Sequence, residues 1–301
     1  MTEAPPNTSS RAEYRLDCLE VWGGSHHIDN TVRVTGVDVW AWSRPADRVA
    51  GGDVYLVSMC ACAEVSRFLV ADVTGHDAGA AQVALRLRRL MRRHINKPDQ
   101  TRLIRSLNRD FDGMARYGRF ATAVLATFFP PTRHLIVCNA GHPRPLWYRA
   151  AEKQWTALSA ENQMRHKGAN NLPLGILDDV PYEQYAIQMA RGDLVLLYTD
   201  GVTEARTATG DLLGESGLIN IISRINTSDP SRVLMALQTR LGMITNGMLS
   251  DDVTMLLLHA NDETMPRQSF TDKVRVAAKM LGLQLGRRAP RVSRPKVLSR
   301  P

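Results

Sequence analysis

Aspartates recur at one kind of place in this sequence, where an apolar stretch meets a turn. Asp53 follows Gly51-Gly52 and opens VYLVSM. Asp72 closes RFLVAD ahead of V-T-G-H. Asp200 ends DLVLLYT ahead of Gly201, and Asp251-Asp252 open VTMLLL. A carboxylate at the end of an apolar strand is costly to bury alone. If several such ends converge they surround a cation, and hard divalent ions such as Mg2+ and Mn2+ prefer carboxylate oxygens. Two such ions about 3.5–4 Å apart lower the pKa of a shared water and clamp a phosphoryl group for in-line attack. The competing reading is ordinary turn chemistry, because Asp beside Gly is common in tight turns. Spacing alone leaves both open.

The elements that must position these residues follow from periodicity. TVRVTGVDVWAWS (31–43) alternates apolar and polar residues as a half-buried strand does, and GGDVYLVSM (51–59) and RFLVADV (67–73) read as two more. After Gly75 the pattern turns helical, with Val83, Leu87, Leu90 and Met91 on one face and arginines on the other. A second helix fits 99–116. ATAVLATFF and HLIVCNA form a hairpin around PPTR. Strands over 180–189 and 193–198, helices over 214–225 and 230–245, and a last strand over 253–259 complete the order. Strands that are not separated one by one by helices argue against a doubly wound parallel sheet. The order predicts an α+β fold of antiparallel sheets with helices packed outside. The simplest partition is an N-terminal extension (1–30), partly disordered, one domain over 31–260, and a basic tail over 261–301.

Composition bounds the rest. The chain has 301 residues, 44% of them hydrophobic, which is enough for a sizeable core. No apolar run approaches the length of a membrane span. The N-terminus lacks a basic start followed by an apolar run, so no secretory leader is expected. Cys60 and Cys62 form a C-x-C pair with no second pair to complete a zinc site, and all four cysteines read as reduced thiols of a cytoplasmic protein. The net charge of +8 is uneven: from Thr264 onward ten basic residues and one acidic residue give +9, leaving −1 for the rest. The basic character belongs to an appendage, and a whole-chain argument for nucleic acid does not apply. With little aromatic interleaving, specific nucleic-acid recognition is not expected. An anionic surface is a candidate contact for the tail, against a solvated, disordered segment.

The motifs GGDVY, ADVTGHDAGAA, FATAV, NAGHPRPL, LPLGI, GDLVLLYTDGVTEAR and DDVTMLLL occur in that order over about 50–258. Together they resemble the SpoIIE/RsbU-type phosphatases, bacterial members of the metal-dependent type 2C, or PPM, protein phosphatases. The resemblance implies a four-layer α-β-β-α sandwich, two antiparallel sheets with helix pairs outside. It also implies two Mn2+ or Mg2+ ions held by Asp53, Asp72, the Val73 carbonyl, Asp200 and Asp251. Gly75, His76, His142 and Asp252 are its candidates for contact with substrate, the histidines and Gly75 having loop-building roles as the alternative. The implied activity is hydrolysis of phosphoserine or phosphothreonine by a metal-activated water. The implied substrate is a phosphorylated protein, a STAS-domain anti-anti-sigma regulator in related proteins, with an activating partner for control. One departure stands out: the family often reads G-G-D-F-Y-D, and the last position here is Leu56.

Two rival readings belong beside this one. YTDGVTEA also looks like an aspartyl-phosphate hydrolase of the haloacid dehalogenase type, but that chemistry needs a D-x-D-G pair, and Tyr198 stands two residues before Asp200. A catalytically weak binding module on the same fold would regulate a partner without turnover.

Overall fold

A computed structural model describes residues 12–18, 20–46, 51–60, 65–75, 78–95, 97, 99–111, 118–159, 170–247 and 250–263. The expectations placed on His76, on Cys62, on residues 1–11 and on residues 264–301 lie outside them.

Two sheets face each other. The first has seven strands in the order β1 (Ala12–Arg15), β3 (Ile28–Val34), β4 (Val37–Arg44), β13 (Val253–Ala260), β12 (Leu194–Tyr198), β9 (Leu146–Arg149), β10 (Gln154–Ala157). The second has six: β11 (Gln184–Gln188), β8 (His134–Ala140), β7 (Ala121–Phe129), β6 (Val65–Val73), β5 (Val54–Cys60), β2 (Val21–Gly24). Named pairings are antiparallel except β1 with β3. Between the sheets lies one apolar layer that includes Val39, Tyr55, Val57, Val70, Val124 and Leu256. Helices α1 (Ala78–His94) and α2 (Gln100–Phe111) cover the six-stranded sheet through Leu87, Met91, Leu107 and Phe111. Helices α3 (Gly214–Ile222) and α4 (Pro230–Ile244) cover the seven-stranded sheet through Leu218, Leu234 and Leu237. The expected four-layer α-β-β-α sandwich is therefore present. Its strands carry apolar residues on both faces because each sheet is covered twice, by the other sheet and by helices.

Several boundaries differ from the expectation. The run 31–43 is a hairpin, not one strand: Val34 pairs with Val37 across Thr35-Gly36, and Gly36 takes φ +76° at the turn. Residues 12–30 contribute β1, β2 and the start of β3, so the domain begins well before 31. At the other end Asn261 donates its N–H to Gly36 O, and Glu263 pairs with Arg15, so the domain reaches past 260. The strand expected over 180–189 is shorter, and β9 and β10 are additional.

The chain direction sets the poles. Asp53 precedes β5, Asp72 lies near the end of β6, Asp200 follows β12 and Asp251-Asp252 precede β13. In antiparallel sheets these strand ends and starts fall at one pole. The opposite pole carries the Thr35-Gly36 turn and Asp193.

Candidate metal centre

The pole is assembled by two glycines. Gly52 donates its N–H to Asp252 Oδ2 at 2.5 Å, and Ala46 donates its N–H to Asp252 Oδ1 at 2.7 Å. Both oxygens of Asp252 are thus taken by backbone, and the side chain, 3% exposed, clamps the loop before β5 to the start of β13. A methyl group on Gly51 would overlap that carboxylate. A methyl group on Gly52 would fall 2.6 Å from Val73 O and 3.1 Å from Asp72 Oδ1. The glycines are what let the Val73 carbonyl, Asp72 and Asp252 close around one turn.

Asp53 is buried, 3% exposed. Its Oδ2 accepts from Thr199 Oγ1 at 2.9 Å, which crosses from one sheet to the other. Its Oδ1 is buried with no hydrogen-bond partner. Burial, then the charges of Asp252 and Asp200, push its carboxyl well above the usual range. Asp72 is pushed up to about 9, by burial first and then by Asp53, Asp200, Asp251 and Asp252. Asp200 rises to about 6, from burial, Glu204 and Asp251. These mutual repulsions are the electrostatic signature of carboxylates facing one another without a counter-charge. Asp251 accepts its neighbour's N–H, Asp252 N to Oδ1, at 2.7 Å.

The donors are all oxygen, which suits Mg2+ or Mn2+. Asp53 Oδ1 is an orphaned buried acceptor, a group that costs stability unless something pairs with it. Among the described residues no three His, Cys, Asp or Glu side chains are drawn in tightly enough to hold an ion as they stand. The carboxylates are gathered at one pole, where their charges act on one another. Residues that could hold cations are Asp53, Asp72, Asp200, Asp251 and, through its carbonyl, Val73.

The other candidates are placed differently. His142, 6% exposed, bonds Thr122 Oγ1 through Nδ1 at 2.8 Å, and burial drops its pKa to about 3. It is a neutral imidazole under the loop, whose N–H and carbonyl are both bonded by Asn139. Gly75 takes φ +91°, and a side chain there would strike Arg119, whose Nη1 donates to Thr74 O at 2.7 Å. Leu56 lies in the layer under α1, with Leu69 and Leu87, and faces away from the carboxylates. Residues 207–213 form a tight turn pinned at its base, Leu213 N to Ala205 O at 2.9 Å. Sequence reasoning missed the hydroxyls of Ser43, Thr199 and Thr254, because buried threonines in β-rich stretches look like ordinary strand residues.

Comparison with known proteins fixes the family. The model of the family described as Stage II sporulation protein E (SpoIIE) matches residues 64–261, more than half of the chain. The chain belongs to the SpoIIE family. The matched range holds Asp72, Asp200 and Asp251, whereas Asp53 lies before it and is joined to them by the geometry above. Phosphoserine phosphatase RsbU of Bacillus subtilis is 25% identical over 226 residues, covering 74% of this chain and 63% of RsbU. The chain thus spans less than two thirds of the length of that curated relative. A structure of the RsbU and RsbW domains of a Mycobacterium tuberculosis protein superposes with TM-score 0.65 at 23% identity, covering 83% of this chain and 69% of that one. The PP2C phosphatase domain of SpoIIE from Bacillus subtilis superposes with TM-score 0.61 at 18% identity, covering 82% and 72%. At these identities the superpositions establish the shared sandwich.

Proposed function

We propose that the chain is a metal-dependent protein serine/threonine phosphatase that hydrolyses phosphoserine or phosphothreonine on a protein substrate. The observation that carries the reading is the gathering of Asp53, Asp72, Asp200 and Asp251 at one pole, with Asp53 Oδ1 buried and unpartnered. Membership of the SpoIIE family supports it, as does the likeness to a phosphoserine phosphatase. RsbX, a further protein with this fold, is described in complex with magnesium.

On this reading Asp53, Asp72, Asp200, Asp251 and the Val73 carbonyl hold two divalent cations, Mn2+ or Mg2+. Bound there, the cations neutralise phosphate charge and lower the pKa of a coordinated water. The protein's own contribution is positional. Asp252 and the two glycines fix the loop that carries Asp53. Asp72 and Asp200 must be ionised to bind, and their raised pKa values make cation binding release protons. His142, buried and neutral, holds the loop after β8 and takes no proton from water at neutral pH.

The proposed substrate class is a phosphorylated regulator of partner-switching type, a STAS-domain protein by family resemblance, with a separate activating partner. The same reading puts the protein in the cytoplasm. No helix among the described residues is long and apolar enough to cross a membrane.

The test is hydrolysis of a phosphoserine protein and of a small phosphoester with Mn2+, Mg2+ or a chelator. Turnover is expected with either ion and lost with chelator. Full activity after exhaustive metal removal would overturn the cation reading. Mn2+ binding without turnover on any phosphoprotein would favour the binding module.

A further inference from the structure

Three buried hydroxyls stand side by side on adjacent strands of the seven-stranded sheet. Ser43 is near the end of β4, Thr254 is the second residue of β13, and Thr199 directly follows β12. Ser43 and Thr254 are cross-strand partners, and Thr199 N donates to Thr254 O at 3.0 Å. All three are 2% exposed or less.

Their hydrogen bonds have a fixed direction at the end that matters. Thr254 N donates to Thr199 Oγ1 at 2.9 Å. The Thr199 hydroxyl therefore already accepts one bond from backbone, and its single proton goes to Asp53 Oδ2. Thr254 Oγ1 donates to Ser43 Oγ at 2.9 Å. Its hydroxyl also lies beside the Asp53 carboxylate. The row ends on a carboxylate of the opposite sheet whose other oxygen is buried and without a partner.

Pairing of core hydroxyls for its own sake does not account for this. Ser58, Ser66 and Thr127 are buried in the same protein with their hydroxyls lacking any hydrogen-bond partner. The fold tolerates single unpaired hydroxyls in its sheets, yet at this pole it lines up three, and the last of them donates to one acid.

We propose that Ser43, Thr254 and Thr199 are positioning residues that lock Asp53 Oδ2 and hold Oδ1 out as the cation-binding oxygen. This rests on the reading that Asp53 is a cation ligand. Thr199 immediately precedes Asp200, and Thr254 comes two residues after Asp252. The two motifs thus supply not only carboxylates but the hydroxyls that orient a third, distant carboxylate.

The experiment is Mn2+ titration of the full chain by calorimetry, with thermal melts in Mn2+ and in chelator. Removing a group that orients a metal ligand commonly lowers affinity 10–100-fold, so Thr199→Val is expected to weaken Mn2+ binding by about tenfold or more. Thr199→Ser, which keeps the hydroxyl, is expected to restore most of it. A purely structural role would lower the melting temperature in chelator and leave Mn2+ affinity unchanged, and that result overturns the proposal. Should Thr199→Val fail to fold, Thr254→Val decides. It keeps the backbone N–H to Thr199 and removes only the second hydroxyl. Weaker Mn2+ binding by it supports the row, and wild-type affinity overturns it. A wild-type protein that binds no Mn2+ overturns the phosphatase reading and this proposal together. Wild-type binding matched by every variant overturns this proposal alone.

Discussion

Asp72 and Asp252 share a pole but differ in what their oxygens already do, and the difference makes opposite predictions. Asp252 spends both oxygens on backbone N–H groups of Ala46 and Gly52. Asp252→Asn leaves one carboxamide oxygen for two donors and turns an NH2 toward the other. A cost of about 1–3 kcal/mol is expected from the strained pair, visible as a lower denaturation midpoint without metal. Asp72 is raised by burial first and then by its neighbours' charges, so Asp72→Asn removes a carboxyl that is costly to ionise there. We expect the metal-free Asp72→Asn protein to melt no lower than wild type, with kcat in Mn2+ reduced by more than about tenfold, a barrier increase above about 1.4 kcal/mol. Asp200→Asn is expected to lose turnover likewise. Wild-type turnover in either variant would remove that residue from the ligand set. The same contrast shows why turn chemistry and cation chemistry could not be separated by spacing. Asp193 also follows a glycine at a strand start, but both its oxygens accept from Ala190 N, Ala150 N and the Trp147 indole. The motif looks alike in sequence, and only the partner list tells a turn acid from an orphaned one.

At the scale of elements, Arg67 on β6 shows what a pattern of apolar alternation hides. It is 1% exposed, and its guanidinium donates to Ile95 O and Lys97 O, tying the end of α1 to the six-stranded sheet. A cation at a helix C-terminus also faces the negative end of the helix dipole. Arg67→Ala removes the side chain from a packed core and strips buried carbonyls of their donor. We expect a loss of about 2–4 kcal/mol in urea denaturation, and Arg67→Met should lose less because it refills the space. An unchanged midpoint for Arg67→Ala would show that the tie is dispensable. From sequence, RFLVADV read correctly as a strand, but nothing marked its arginine as a pin. The long apolar strands and both helix pairs were legible because double coverage makes their patterns strong. β1 and β2 were not, since AEYR and VWGG are four-residue edge strands whose pairing depends on partners elsewhere in the chain. The Thr35-Gly36 turn was hidden because the core valines shift phase across it, from 32 and 34 to 37 and 39, while Trp40 and Trp42 keep the even positions apolar.

Most of the chain's net charge lies beyond residue 263, and the stability of the sandwich is coupled to its acidic pole. The last described strand ends at Ala260, and Glu263 still pairs with Arg15. Truncation after Glu263 is expected to leave turnover of a small phosphoester unchanged, and lost turnover would extend the domain into the tail. The coupling to pH has a definite sign. Asp72, raised to about 9, and Asp200, raised to about 6, keep protons in the metal-free fold that they release when unfolded near the ordinary value of 3.8. Between those values the folded state binds more protons than the unfolded one, so stability falls as pH rises. For one such proton the slope is about 1.4 kcal/mol per pH unit, an upper figure because the carboxyls interact. In chelator the melting temperature should therefore fall by several degrees from pH 6 to pH 8, roughly 2–4 °C for each kcal/mol in a domain of this size. Divalent cations bind only the ionised carboxylates, so Mn2+ should raise the melting temperature more at pH 8 than at pH 6. Differential scanning calorimetry at the two pH values, with and without Mn2+, gives all four numbers. A metal-free melting temperature that rises from pH 6 to pH 8, or a Mn2+ effect larger at the lower pH, would mean that these carboxyls do not face one another.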